Sequence, residues 1–427
     1  MYELYGLTES EIRIVEGETQ VKRIGIQGAA TRIANEKGSY QMKNTIAVLF
    51  VLLLVSFGRA QQRWTKTYGG TGTDEGNCVQ QTSDGGYIVS GTTFTFGAGG
   101  ADVYLIKTNA SGDTVWTRTY GGTDDEYGNS VQQTSDGDYI VAGSTASFGA
   151  GGADVYLIKT NASGDTVWTR TYGGPDDEYG TSIQQTSDGG YIVAVSTAPL
   201  GGGITHIQLI KTNASGDTVW TRTYGGTGGE VGHSVRQTSD GGYILTGLTL
   251  SFGGPEGDVY LMKTNASGDT LWTRTYGGTR IEEGYSVRQT TDGGYIVAGY
   301  TNSFGGARNS DAYLIKTNAS GDTLWTRIYG ATDYDVAGSV QQTSDGGYIV
   351  AGWADSDYPD VWLIKTNASG DSLWTKNYGA SEPDYGYSVQ QTTDGGYIIT
   401  GCANLLYLTQ SSVYLIKTDA NGDVGEE

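Results

Sequence analysis

The chain of 427 residues carries a formal charge of -21, which repels phosphate backbones and anionic lipid and excludes nucleic acid as a natural partner. Its 2 cysteines and 2 histidines, with no CxxC or HExxH spacing, cannot build a closed Cys/His zinc centre. With 69 Gly and 31 Tyr against 5 Pro, the composition suits many short strands joined by tight turns, not long helices.

The first segment, "MYELYGLTESEIRIVEG", has the grammar of a short helix: Thr8 and Glu11 form a capping box, Ile12, Ile14 and Val15 supply apolar contacts, and Gly17 ends it. "LYGLTESEIRIVEG" resembles the tail of bacterial restriction-modification methyltransferases, but none of their catalytic motifs accompanies it, so no activity is carried over. Residues 1–41 are expected to be a gene-model or fusion remnant, with translation beginning at Met42. From there "MKNTIAVLFVLLLVSFGRAQQ" has the layout of a signal peptide. A Lys precedes an apolar run from Thr45 to Phe57, and Gly58 and Ala60 provide a small-residue cleavage site. The run is shorter than the roughly 20 residues a membrane-spanning helix needs. Residues 42–60 are therefore expected to be removed, leaving a secreted or cell-surface protein with no stable membrane insertion.

Everything after residue 60 is repeat. Trp64, Trp116, Trp168, Trp220, Trp272, Trp325 and Trp374 recur every 49 to 53 residues, and each unit holds four strand-length runs, such as "SVQQT", "YIVAG", "VYLIKT" and "TVWTRTY". The first two runs are joined by "SDGG" or "SDGD", and the last two by "NASGD", both with the Asp/Asn-Gly chemistry of tight hairpins. "NAS" is formally a glycosylation sequon, although the turn accounts for it. The loops after "YIVAG" and after "TYGG" vary instead. Seven such units predict an all-β fold, a seven-bladed β-propeller of four-stranded antiparallel blades over residues 61–427. The opening "QRWTKTYGG" lacks a preceding "NASGD", and the closing "DANGDVGEE" lacks a following Trp strand. The N-terminal strand is thus expected to complete the last blade and close the ring, removing the edges that a solenoid would expose.

Within that ring, the Trp residues are expected to pack between blades, and the Lys of "LIKT" and the basic residue after "WT" to pair with turn carboxylates. "DGGYIVAG" followed by "DVYLIKTNASGDTVWTRTYGG" resembles the secreted propeller repeats common in bacterial and archaeal surface proteins. The resemblance covers residues 61–423 and implies a fold whose members are labelled from lectin-like to endoglucanase-like.

Recognition is expected on the face of the variable loops. Acidic residues crowd there, among them Asp74, Glu75, Asp124, Asp125, Glu126, Asp176, Asp177, Glu178, Glu282, Glu283, Asp333, Asp335, Glu382 and Asp384, and they read as a solvated acidic rim. No cofactor is expected. Calcium stays open where carboxylates converge, although no DxDxDG loop is present. One unit departs from the pattern at "GWADSDYPDVWLIK", where Trp353, Asp355, Asp357, Tyr358 and Asp360, with Asp335 nearby, could hold a sugar by stacking and hydrogen bonding. Local packing is the plainer role, especially for Trp362. No catalytic or metal-ligating residue is assigned; His206 and His233 fall in unrelated positions. Cys78 and Cys402 lie in the two blades that meet at the seam, as two buried thiols or as a disulfide that locks it. The chain is expected to be a monomeric, exported, non-enzymatic propeller that binds a glycan or a surface protein. The alternative is a carbohydrate-active enzyme using carboxylates on the loop face, such as Asp335, Asp355 or Asp357.

Overall fold

The computed structural model describes residues 62–425, apart from 200–201, 306–309, 331–333, 355–357, 380–381 and 407–409. The expected remnant and signal peptide lie outside the described residues, as do Asp333, Asp355 and Asp357.

The described chain forms seven four-stranded antiparallel sheets, each in the simple order of a meander. It is a seven-bladed β-propeller. Blade I comprises Asp74–Gln81, Tyr87–Thr93, Asp102–Thr108 and Thr114–Tyr120 from the axis outward. Blades II to VI repeat it and begin at Glu126, Asp177, Glu230, Glu282 and Asp335. Blade VII is built from both ends of the propeller. Tyr385–Gln391, Tyr397–Leu406 and Gln410–Thr418 form its inner three strands, and Trp64–Tyr68 is the outermost. That strand pairs with Trp64 opposite Lys417 and Tyr68 opposite Val413.

The strand patterns follow from position in the blade. Second and third strands are covered on both faces by neighbouring blades, so "YIVSGTT" and "DVYLIKT" of blade I are buried along their whole length. The outermost "TVWTRTY" has one face in solvent and alternates accordingly. Each apolar cluster is shared by two adjacent blades. Between blades I and II it joins Ile88, Val103 and Leu105 to Val131, Tyr139 and Ile158. The seam cluster has the same composition, joining Tyr87, Val89 and Ile106 to Ile398, Val413 and Leu415, with Trp64 packed against it.

Two devices recur at the blade junctions. Each outer-strand Trp meets the Tyr of the next blade's "DGGY": Trp116 lies 5.9 Å from Tyr139 at 65°, and Trp64 lies 5.8 Å from Tyr87 at 69°. The "NASGD" turn then packs under that Trp. Its Gly112 adopts φ 76°, and a side chain there would come within 2.7 Å of the Trp64 ring. The buried lysine of "LIKT" crosses to the "SDGG" turn of its own blade, as Lys107 does to Asp84 at 2.9 Å. The outer-strand Arg reaches the next blade's "NASGD" aspartate, as Arg327 does to Asp371 at 3.2 Å. The repeated cations therefore brace turns, as their sevenfold recurrence suggested.

Candidate functional site

A feature present in every blade is needed by every blade, so a site is sought where the sevenfold pattern breaks. The acidic loop face illustrates the first half of this rule. Asp74, Glu126, Glu178, Glu230, Glu282, Asp335 and Asp384 stand at or beside the start of the innermost strands, and all are buried. Glu126 accepts the Gly122 amide at 2.7 Å and the Thr145 hydroxyl at 2.6 Å, tying together the two variable loops of the face. Asp74 does the same with Gly70 and Thr95, each at 2.8 Å. A second buried carboxylate, Asp102, Asp154 or Asp258, holds the loop before its strand, and burial pushes each of these three above the usual carboxylate range. The solvated rim is therefore narrower than expected. Asp124 and Asp125 are exposed, but the carboxylate opening each innermost strand is a loop clamp, because loop amides shut off from water need an acceptor.

The described residues of the expected sugar-binding group take different places in the fold. Asp335 and Asp360 take ordinary clamp positions, with Asp335 buried and Asp360 lying beside Gly379 together with Asp384. Tyr358 is exposed on the loop. Trp362 packs against the core shared by blades V and VI. Among the described residues of the group, Trp353 alone lines the axial channel, edge-on to Tyr385 at 5.6 Å and to Tyr387 at 6.0 Å. The two cysteines are free thiols. Strand alternation sends them to different neighbours: Cys78 packs on the core between blades I and II, with its Sγ 3.7 Å from the Val131 carbonyl, and Cys402 meets the Tyr387 hydroxyl at 3.4 Å. Burial pushes the Cys402 thiol up to about 12.

The channel runs along the axis between the seven innermost strands and encloses about 670 Å³. Two rings of side chains line it. Near the loop face, successive blades present Asn77, Asn129, Thr181, His233, Tyr285, Gly338 and Tyr387; deeper lie Gln80, Gln132, Gln184, Arg236, Arg288, Gln341 and Gln390. The two rings stitch the blades together. Asn77, Asn129 and Thr181 donate to the Gly carbonyl of the next inner strand, at 3.2, 3.0 and 2.7 Å. Gln80, Gln132, Gln184, Gln341 and Gln390 each accept the following blade's backbone amide at 2.6 Å.

The pattern breaks on the arc of blades IV to VII. His233 reaches past the backbone to Glu283, with Nε2 and Oε1 2.6 Å apart. The other Glu283 oxygen accepts the hydroxyls of Tyr285 and Tyr300, each at 3.2 Å. Burial would raise this carboxyl, but the hydrogen bond and charge of His233, with the two tyrosine hydroxyls, bring it below its usual range. An ionised Glu283 makes Nε2 the donor and fixes the imidazole. Burial raises both tyrosines, which remain donors at neutral pH. Beside them stands the aromatic wall of Trp353, Tyr385 and Tyr387, the last two stacked at 6.3 Å. Deeper in the channel, on the neighbouring blades IV and V, Arg236 and Arg288 replace glutamines. The arc thus offers ring faces, hydroxyl donors and an oriented imidazole near the loop face, with two cations deeper in the same channel.

No family model matches the chain. It is 24% identical over 242 residues to the regulatory protein FlaEY of Caulobacter vibrioides, a match covering 47% of this chain and 25% of that protein. The chain thus spans about a quarter of that relative's length. Solved structures share its fold at low identity. The WD40 domain of Neurospora crassa Pan2 aligns with TM-score 0.53 and 9% identity, over 85% of this chain and 97% of that one. An ulvan lyase of polysaccharide lyase family PL25, bound to -[GlcA(1-4)Rha3S]-, aligns with TM-score 0.52 and 10% identity, over 83% and 96%.

Proposed function

We propose that the protein is a monomeric, exported, non-enzymatic propeller that binds a saccharide of a glycan or a glycosylated surface protein at the channel mouth. The observation that carries this reading is the placement of Trp353, Tyr387 and Tyr285 on one arc of an otherwise small and polar ring, with Tyr385 stacked behind Tyr387. Aromatic faces beside fixed hydroxyl donors suit the alternating apolar and hydroxylated surfaces of a sugar, and a channel mouth on a rigid scaffold is pre-formed. The lyase that shares the fold holds an acidic saccharide, which supports the ligand class without assigning it. Export rests on the leader-like segment before Gln61.

A glycan array with the purified protein tests the reading. Binding should be lost in Trp353→Ala and retained in Asn129→Ala on the opposite arc. Equal binding by the two variants would remove the site from this arc. Mass spectrometry of the exported protein should find its N-terminus at Gln61, and a peptide from residues 1–41 there would overturn the leader.

The His233–Glu283 pair favours a second reading, a carbohydrate-active enzyme in which His233 serves as general base. Product release from a bound oligosaccharide, abolished in His233→Asn while binding persists, would select it over simple binding.

A further inference from the structure

Arg236 and Arg288 occupy the same register position on adjacent inner strands, one residue beyond Val235 and Val287. Five other arginines, Arg63, Arg118, Arg170, Arg274 and Arg327, pair with turn aspartates at the propeller's periphery. Among the described residues, no ion pair forms with Arg236 or Arg288. Arg236 spends its Nη1 on the Ser182 hydroxyl at 3.0 Å and the Val235 carbonyl at 2.7 Å. The Nε of Arg236 and that of Arg288 are both buried without a hydrogen-bond partner.

The substitution also costs the fold something. Glutamine at this position gives the next blade an acceptor, as Gln80 does for the Gln133 amide at 2.6 Å. Arginine has no acceptor, so this stitch is lost at two consecutive junctions. Two like charges are then brought together within the channel, where burial disfavours both. Burial and the neighbouring charge lower Arg236, and burial lowers Arg288 as well.

We infer that Arg236 and Arg288 form an oxyanion site that takes a carboxylate or sulfate group entering the channel. Two planar guanidinium forks with unsatisfied N–H donors match the paired oxygens of such a group, and the low-dielectric wall strengthens each charge-assisted bond. A small anion at the channel-facing edges of the two guanidiniums would supply the missing countercharge. The site deepens the saccharide reading by naming the charged substituent, yet it does not depend on it, because inorganic sulfate meets the same requirement.

Isothermal titration calorimetry of the full chain with sodium sulfate, in a chloride background of matched ionic strength, is the direct test. Saturable binding is expected, weakened about ten-fold or more in Arg236→Gln and in Arg288→Gln. The double variant restores the residue found in the five other blades, so it should fold, should melt higher than wild type in anion-poor buffer, and should lose saturable binding. Sulfate stabilises proteins generally by exclusion from their surface. The decisive comparison is therefore the rise in melting temperature with sulfate: a larger rise in wild type supports the site, and equal rises overturn it. Absence of saturable heat in wild type overturns it without any variant. A second titration compares a neutral oligosaccharide with its uronate- or sulfate-bearing counterpart. Preference for the acidic sugar, lost in the double variant, makes the saccharide the source of the anion. Sulfate binding without any sugar binding keeps this site and sinks the glycan proposal.

Discussion

Closure of the ring by Trp64–Tyr68 makes a quantitative claim, because this strand should then be worth as much as an outer strand in mid-chain. Trp64→Ala and Trp220→Ala remove the same side chain from equivalent places. Each ring lies edge-on to the next blade's tyrosine, Trp64 at 5.8 Å and 69° and Trp220 at 5.9 Å and 64°. Each also carries a cation over its face, Lys66 or Arg222, both at 5.8 Å. Truncating a fully buried Trp costs about 3–5 kcal/mol. Both rings are only half-buried, which brings the packing loss to roughly 2 kcal/mol, and the edge-to-face pair adds about 1 kcal/mol. Each variant should therefore lose about 3 kcal/mol in urea unfolding followed by circular dichroism. Trp64→Ala should also speed proteolysis of the N-terminal strand, which has no covalent link to the rest of its blade. If Trp64→Ala lies within about 0.5 kcal/mol of wild type while Trp220→Ala loses about 3, the strand does not hold the ring shut and the closure argument fails.

Stability should peak in mildly acidic solution. In Asp84, Asp188, Asp240, Asp292 and Asp345, partial burial is outweighed by hydrogen bonds from the turn and by the buried lysine, and the carboxyls are lowered to about 2. Their stabilisation is complete above the unfolded value of about 3.9 and is lost as pH falls toward 2. Burial raises Glu75, Asp102, Asp154, Glu178 and Asp258, so protonating them favours the fold as pH drops from neutrality. A melting temperature that falls steadily from pH 7 to pH 4 would contradict this balance. Gly164→Ala should destabilise more than Gly137→Ala in thermal melts, since both adopt positive φ but only the former would press a methyl within 3.0 Å of the Trp116 ring. Non-reducing peptide mapping should find both cysteines free, and a thiol reagent should modify Cys78 on the channel well before Cys402, whose thiol is buried and raised to about 12.

The blade was legible because its signals are local. The "SDGG" and "NASGD" turns, the strand-length runs between them and the two incomplete end units specify four strands, their order and the closing strand without reference to anything distant. The clamps were not legible. Glu126 and Asp335 sit at the border of loop and strand, where the letter alone does not say whether a carboxylate faces water or a ring of loop amides. The channel arc was hidden for another reason. The loops that vary in length draw attention first, whereas the residues that change the channel lie within the innermost strand, next to its recurring serine and glutamine. Arg236 and Arg288 show only as "VRQ" among five copies of "VQQ" or "IQQ", and His233, Tyr285 and Tyr387 as single letters before the serine. Superposing the seven units column by column would have brought out all five.

The charge of the chain and that of its candidate ligand conflict only at first sight. A net charge of -21 disfavours a long polyanion, which must approach over the outer surface, where exposed carboxylates such as Asp124 and Asp125 lie. At physiological salt those charges are screened over about 8 Å. Inside the channel, protein replaces water around Arg236 and Arg288, and their field is less weakened. A group small enough to pass the mouth therefore meets a local sign opposite to that of the protein as a whole. Selection would then rest on size as much as on charge: a single carboxylate or sulfate presented on a sugar can reach the cations, whereas a duplex or a lipid surface cannot.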